Sequence, residues 1–240
     1  MLTARGLTRR FGVITAVDAV DLDLAPGDAV GLIGPNGAGK STLLSLLAGD
    51  NPPDAGRLEL NGQVITRLPL HARVVAGIAR AAQIPQTFAR LTVRENALLP
   101  AQHGARLPSG AAEAWADEVL EMCGLAGKTA ALAGTLGLLD RKRLELAKAV
   151  AARPRVLLLD EVAAGLTEPE IATIKALVDK LRVGRAVVWV EHIPFALRGT
   201  CERLVVMDKG AKLLDGAFDE VWGHPDLQRI YMGVADGRAA

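Results

Sequence analysis

The segment Gly34-Pro35-Asn36-Gly37-Ala38-Gly39-Lys40-Ser41 constrains this chain more than any other. It fits G-x-x-x-x-G-K-[ST], and both flanks suit it. Ala29-Val30-Gly31-Leu32-Ile33 is a β-rich run that stops at the loop, and residues 41–48 carry an apolar helical pattern that ends at Gly49. Glycines let the backbone curl until successive N–H groups point inward at anionic oxygens. The helix N-terminus that follows adds partial positive charge. In such a loop Lys40 neutralises β- and γ-phosphates and Ser41 ligates Mg²⁺. Gly34, Pro35, Asn36, Gly37, Ala38, Gly39 and Thr42 complete this candidate nucleotide-binding set.

The rest of the chain repeats the strand–helix alternation. Val156-Leu157-Leu158-Leu159-Asp160 and Ala186-Val187-Val188-Trp189-Val190-Glu191 are continuous apolar runs that end in an acid, the pattern of strands buried on both faces. Residues 204–207, 208–210 and 211–214 read as strand, turn and strand, and 57–62 as a strand with a turn. Helical patterns occupy 111–123, where Trp115, Val119 and Cys123 share a face, and 141–152. The best signalled helix opens at Thr167-Glu168-Pro169-Glu170, where a capping box meets a first-turn proline. Ile171, Ile174, Val178 and Leu181 mark its buried face. The stretch 99–110, rich in Pro and Gly, reads as a connection within a subdomain. No repeat of 20–50 residues is visible. This alternation predicts an α/β layered fold with a mainly parallel sheet.

Composition narrows the function. Half of the 240 residues are hydrophobic and 23% are charged, which excludes disorder as the main state. Lys and Arg number 28 against 27 Asp and Glu, a net charge of +1 that gives no general field for nucleic acid or anionic lipid. No uncharged apolar run reaches the ~18–20 residues needed to span a bilayer, and residues 1–5 lack the pattern of a signal peptide. Cys123 and Cys201 stand far apart and read as buried or incidental thiols of a reducing compartment. His71, His103, His192 and His224 form no i,i+4 pair, so no zinc helix is expected.

A bound triphosphate also needs an acid near its magnesium. Asp160, at the end of a buried strand, suits a water-mediated Mg²⁺ ligand. Glu161 follows directly, where a carboxylate polarises an attacking water.

With these residues in place, the chain resembles the ATP-binding subunit of an ABC transporter over nearly its whole length. The resemblance implies a P-loop NTPase (RecA-like) core with an antiparallel β subdomain and an inserted α-helical subdomain. The core would take residues 1–84 and 153–240, and the helical subdomain about 85–152. It implies ATP and Mg²⁺ as cofactors. Gln83 would be the Q-loop glutamine that contacts the metal and the membrane partner, and Glu161 the catalytic base beside the metal ligand Asp160. Ala163-Ala164-Gly165-Leu166 would be the D-loop at a dimer interface. His192 would be the switch histidine at the γ-phosphate, and Phe11 would stack on adenine. The partners implied are a second ATPase subunit, two transmembrane permease subunits and, indirectly, a solute-binding protein. They would hold the chain peripherally at the cytoplasmic side of the plasma (inner) membrane, with no role for nucleic acid.

The family's signature, Leu-Ser-Gly-Gly-Gln, is altered to Leu136-Gly137-Leu138-Leu139-Asp140. Gly137 replaces the serine whose hydroxyl would reach the γ-phosphate held by the opposite subunit. Leu139 replaces a glycine and would keep the backbone from approaching closely. Gly137 and Asp140 remain the candidate contacts, followed by Arg141, Lys142 and Arg143. This asymmetry favours a heterodimer with a subunit of intact signature over a homodimer.

A finer resemblance points to the ATPases of branched-chain amino acid importers. It rests on His71-Ala72-Arg73, Gly77-Ile78-Ala79-Arg80, Leu91-Thr92-Val93-Arg94-Glu95-Asn96, Leu144-Glu145-Leu146-Ala147 and the ending Ile230-Tyr231-Met232-Gly233. The competing readings are a P-loop kinase, a non-transport ABC ATPase and a largely non-hydrolytic regulatory subunit.

Overall fold

The structure, a computed structural model, describes residues 1–232. Residues 233–240, which include Gly233 and the end of the expected core segment, lie outside the described residues. The described residues form ten strands: β1 (Leu2–Phe11), β2 (Ile14–Leu24), β3 (Ala29–Ile33), β4 (Ala55–Leu60), β5 (Gln63–Val64), β6 (Ile78–Ala81), β7 (Val156–Asp160), β8 (Ala186–Val190), β9 (Arg203–Asp208) and β10 (Ala211–Ala217). The helices are α1 (Lys40–Ala48), α2 (Leu70–Ala76), α3 (Val93–His103), α4 (Ser109–Met122), α5 (Leu138–Ala151), α6 (Glu168–Leu181), α7 (Pro194–Leu197), α8 (Phe218–Trp222) and α9 (Pro225–Met232).

Six strands form the central sheet in the order β10-β9-β3-β8-β7-β6. All pairings are parallel except β10 with β9. The other four make an antiparallel sheet, β2-β1-β4-β5. The apolar runs are explained by the two-residue side-chain period. Val30, Leu32, Leu158 and Val188 face one core cluster, with Leu43 and Leu47 of α1 and Leu2, Leu22 and Leu58 of the antiparallel sheet. Ile33, Leu157, Leu159, Val187 and Trp189 face the other, with Val119, Leu144, Val150 and Ile174 from the helices. A strand covered on both faces has no position for a polar side chain until it ends. That is why Asp160 and Glu191 mark the strand tips, at the same edge as the glycine loop. The resulting architecture is the P-loop NTPase fold with its added antiparallel sheet and helical layer, as the family resemblance implied.

Three features depart from the sequence reading. Residues 99–103 belong to a helix and not to a connection. Thr92 and Glu95 form a capping box at its start, and Pro100 lies inside it. Val93, Ala97 and Ala101, spaced by four, are fully buried, and that packing outweighs the proline's missing donor. Helix α5 begins at Leu138, ahead of 141, with Gly137 as its N-cap. Strands β1 and β2 escaped the sequence reading because register shifts after Ala4 and Leu7 break the two-residue alternation.

Candidate nucleotide site

The phosphate loop links β3 to α1. Gly39 caps the helix in a left-handed conformation at φ +96°, and an added Cβ there would stand 2.1 Å from the carbonyl oxygen of Ala16. At Gly34 a Cβ would stand 2.1 Å from the carbonyl oxygen of Met207. The loop is therefore wedged between β2 and β9, and only glycine fits at these two places. Lys40 is buried, and its Nζ donates to the carbonyls of Gly34 (2.7 Å) and Pro35 (3.0 Å), curling back over the loop. Burial pulls its pKa down, while Glu161 and Asp160 nearby push it up. Ser41 is exposed and Thr42 half-buried in the first turn of α1; Asn36 and Gly37 are exposed, and Ala38 is buried.

Asp160 ends β7 and Glu161 follows it, near Lys40 of this loop. Arg80 binds Asp160 Oδ2 at 2.5 Å and also reaches Asp50 and Ser45. Asp160 Oδ1 is buried without a hydrogen-bond partner among the described residues. Glu161 has a left-handed backbone, φ +46°, and its N–H is fixed to Val190 O at 2.9 Å. Its two carboxylate oxygens are shared: Gln83 Nε2 donates to Oε2 at 2.5 Å, and His192 Nε2 lies 2.6 Å from Oε1. Three residues distant in sequence thus meet at one carboxylate.

The remaining predicted residues are more dispersed. Phe11 lies at the β1–β2 hairpin, half exposed, with the Arg9 guanidinium 4.9 Å from its ring centre. Gly137 is exposed, and Asp140 pairs with Lys128 and Arg143. Leu139 turns toward the core, and Leu138 is the exposed member of the pair, close to Gly165. Among the described residues no hydrogen bond or ion pair joins Gly137 or Asp140 to Lys40 or Glu161.

Sequence reasoning missed three supporting groups. Arg80 orients Asp160, as above. Glu191 is buried, and its Oε1 accepts from the Ala163 N–H (2.8 Å) and the Trp189 indole (3.1 Å). Desolvation pushes its pKa up to about 7. Lys142 reaches from α5 to backbone carbonyls at the site. Its sequence signal was the spacing of Lys142, Glu145 and Lys148 by three, which sets three charges on one helix face.

The residues present fit a magnesium nucleotide. The orphaned Asp160 Oδ1 is an oxygen acceptor that a hydrated divalent cation would satisfy. The glycine cradle leaves open space at Gly37, where a Cβ would meet nothing within 4 Å.

The chain also matches known proteins. A family model described as "ABC transporter" matches residues 17–164. A high-affinity branched-chain amino acid transport ATP-binding protein, BraF of Pseudomonas aeruginosa, is 36% identical, with 98% of each chain covered. The corresponding LivG of Escherichia coli K12 is 34% identical over 98% of each chain. The lipopolysaccharide export system ATP-binding protein LptB of the same organism is 33% identical over 97% of each. Among solved structures, the ADP conformation of MJ1267, an ATP-binding cassette of an ABC transporter, aligns with a TM-score of 0.86 at 27% identity, covering 97% of this chain and 98% of that one. A nucleotide-free cassette aligns equally well at 26% identity, covering 96% and 98%. With the phosphate loop, the acid pair and matches of this extent, the chain belongs to the ABC transporter family as an ATP-binding subunit.

Proposed function

We propose that this chain hydrolyses ATP to power an importer of branched-chain amino acids or a related small solute. The observation that carries the hydrolytic part is the Glu161 carboxylate held between Gln83 and His192 in front of Lys40. In this reading Phe11 stacks on adenine, and Gly34 to Gly39, with Thr42, enclose the phosphates. Lys40 neutralises the β- and γ-oxygens. Ser41, Asp160 and, through its side chain, Gln83 would hold Mg²⁺, which supplies charge neutralisation at the transferring phosphoryl group. Glu161 takes the proton of the attacking water, and His192 keeps that carboxylate oriented. Catalysis of this kind is mainly positioning and electrostatics.

The solute rests on the branched-chain names of two relatives. LptB, with a different cargo, is almost as similar, so this ATPase fold serves more than one transport task. A groove of about 690 Å³ supports docking of a permease segment. Leu70, Val74, Phe88 and Leu99 give it an apolar wall. No helix among the described residues is long and apolar enough to cross a membrane, so attachment to the cytoplasmic face would run through that groove.

Because the signature segment lacks its serine, two subunits would form unequal sites. The one built from this chain's Lys40 and Glu161 with a partner's intact signature would carry most turnover. The test is reconstitution with the permease and the second ATPase in proteoliposomes. ATP-dependent uptake of labelled leucine, release of free phosphate and a larger loss from the Glu161 mutation than from its counterpart are expected. A phosphorylated acceptor in place of free phosphate would establish the kinase reading, and equal losses would remove the asymmetry.

A further inference from the structure

Helix α5 grips the segment after β6 through a stripe spaced by three residues. Lys142 Nζ donates to the carbonyl of Gln83 at 2.6 Å. Glu145 accepts from the N–H groups of Ala82 (3.4 Å) and Gln86 (3.1 Å). Lys148 donates to the carbonyl of Gln86 and pairs with Glu145. Residues three apart lie on one helix face, so one side of α5 holds the whole loop by its backbone. Lys142 differs from the other two, because it also donates to the carbonyl of Glu161 at 3.3 Å.

That second bond is unusual in three ways. Lys142 is only 2% exposed, and no carboxylate lies within ion-pair distance among the described residues. A buried ammonium satisfied by neutral carbonyls is costly, and it shows in a pKa lowered by desolvation. The carbonyl it reaches belongs to a residue in the left-handed region, a conformation that costs roughly 1–3 kcal/mol unless its surroundings hold it. The two carbonyls come from different strand ends, β6 and β7, whereas the ammonium comes from the helical layer.

We propose that Lys142 is a positioning residue for hydrolysis: it locks the backbone of Glu161 to that of Gln83, so the Glu161 carboxylate is aimed only while α5 is seated. The inference rests on the reading of Glu161 as the group that activates water. Any rotation of α5 against the sheet would strain both bonds together. Displacement of the helical layer would then be felt at the reacting carboxylate without contact with the nucleotide. Lys148 is the internal comparison, since it holds the same loop but never touches Glu161.

The experiment compares Lys142→Met, Lys142→Arg and Lys148→Met in the full chain paired with the second ATPase subunit. The readouts are ATP turnover, affinity for a fluorescent ATP analogue and amide hydrogen exchange. Lys142→Met is expected to lower kcat at least tenfold, with analogue affinity within twofold of wild type. Exchange should rise at residues 161–164 as well as 83–86. Lys142→Arg, which keeps a donor, should recover most of kcat. Lys148→Met should raise exchange at 83–86 alone and change kcat by less than twofold. Wild-type kcat in Lys142→Met, or an equal loss in Lys148→Met, would overturn the proposal. Wild-type protein that binds the analogue but releases no phosphate would instead remove the functional reading beneath it. If Lys142→Met does not fold, Lys142→Gln keeps a neutral donor, and its kcat against that of Lys148→Met decides the question.

Discussion

His192 Nε2 and Glu161 Oε1 stand 2.6 Å apart, although they come from the ends of two different strands. The contact exists because β7 and β8 are parallel neighbours in register, Asp160 opposite Val190, so the residues just beyond each strand emerge side by side. Gln83, beyond β6, completes the group from the next strand over. The geometry of a parallel sheet thus gathers an acid, an imidazole and an amide at one edge, beside the phosphate loop after β3.

Glu161→Gln should keep ATP binding and lower kcat by ~10²–10⁴-fold, the range for loss of a general base. His192→Ala should cost about a hundredfold through misplacement of the carboxylate. Pre-steady-state phosphate release with parallel nucleotide titration measures both. Ready turnover by Glu161→Gln would refute its role as base.

Lys40→Ala should remove a buried cation from the anion it faces. The expected loss is roughly 2–5 kcal/mol, or about 30- to 4,000-fold in Kd for ATP. Equilibrium binding of a fluorescent analogue is the measurement. Retained high affinity would sink the phosphate-loop assignment.

Gly39→Ala forces a Cβ to 2.1 Å from the Ala16 carbonyl oxygen in a left-handed backbone. It should destabilise the fold by about 2–4 kcal/mol. Gly137→Ser meets nothing within 4 Å and should stay within about 0.5 kcal/mol of wild type. Thermal and urea unfolding of the two variants separates a packed glycine from an open one.

Glu191 makes stability depend on pH. Its pKa is raised from 4.5 to about 7 by desolvation, so the folded protein binds the proton more tightly than the unfolded chain. Stability from this group is present below pH 4.5 and is lost as pH rises to about 7. Glu191→Gln keeps an acceptor for the Ala163 N–H without a charge. Its stability relative to wild type should therefore grow across that window, by up to about 3 kcal/mol. Urea titrations at pH 4.5, 6 and 8 test this; a constant difference would place the charge elsewhere.

Part of this site was legible because local chemistry alone writes it. The phosphate loop announces itself by the spacing of its glycines and its lysine, and Asp160 with Glu161 follows an apolar run that only a doubly covered strand tolerates. Helix α3 was hidden for the opposite reason. Pro100 signals a break locally, and only the burial of Val93, Ala97 and Ala101 carries the helix through it.

The sequence by itself determined the alternation of buried strands and helices, the anion cradle and the acids at the strand tips. These depend on residue periodicity and on backbone freedom over a few neighbouring positions. Only the tertiary structure decided which groups meet. It joined Gln83, Glu161 and His192, set Arg80 on Asp160, and sent Lys142 to two backbone carbonyls. Those contacts depend on strand order and on where a helix sits over the sheet, and such distances between residues remote in sequence leave no local pattern to read.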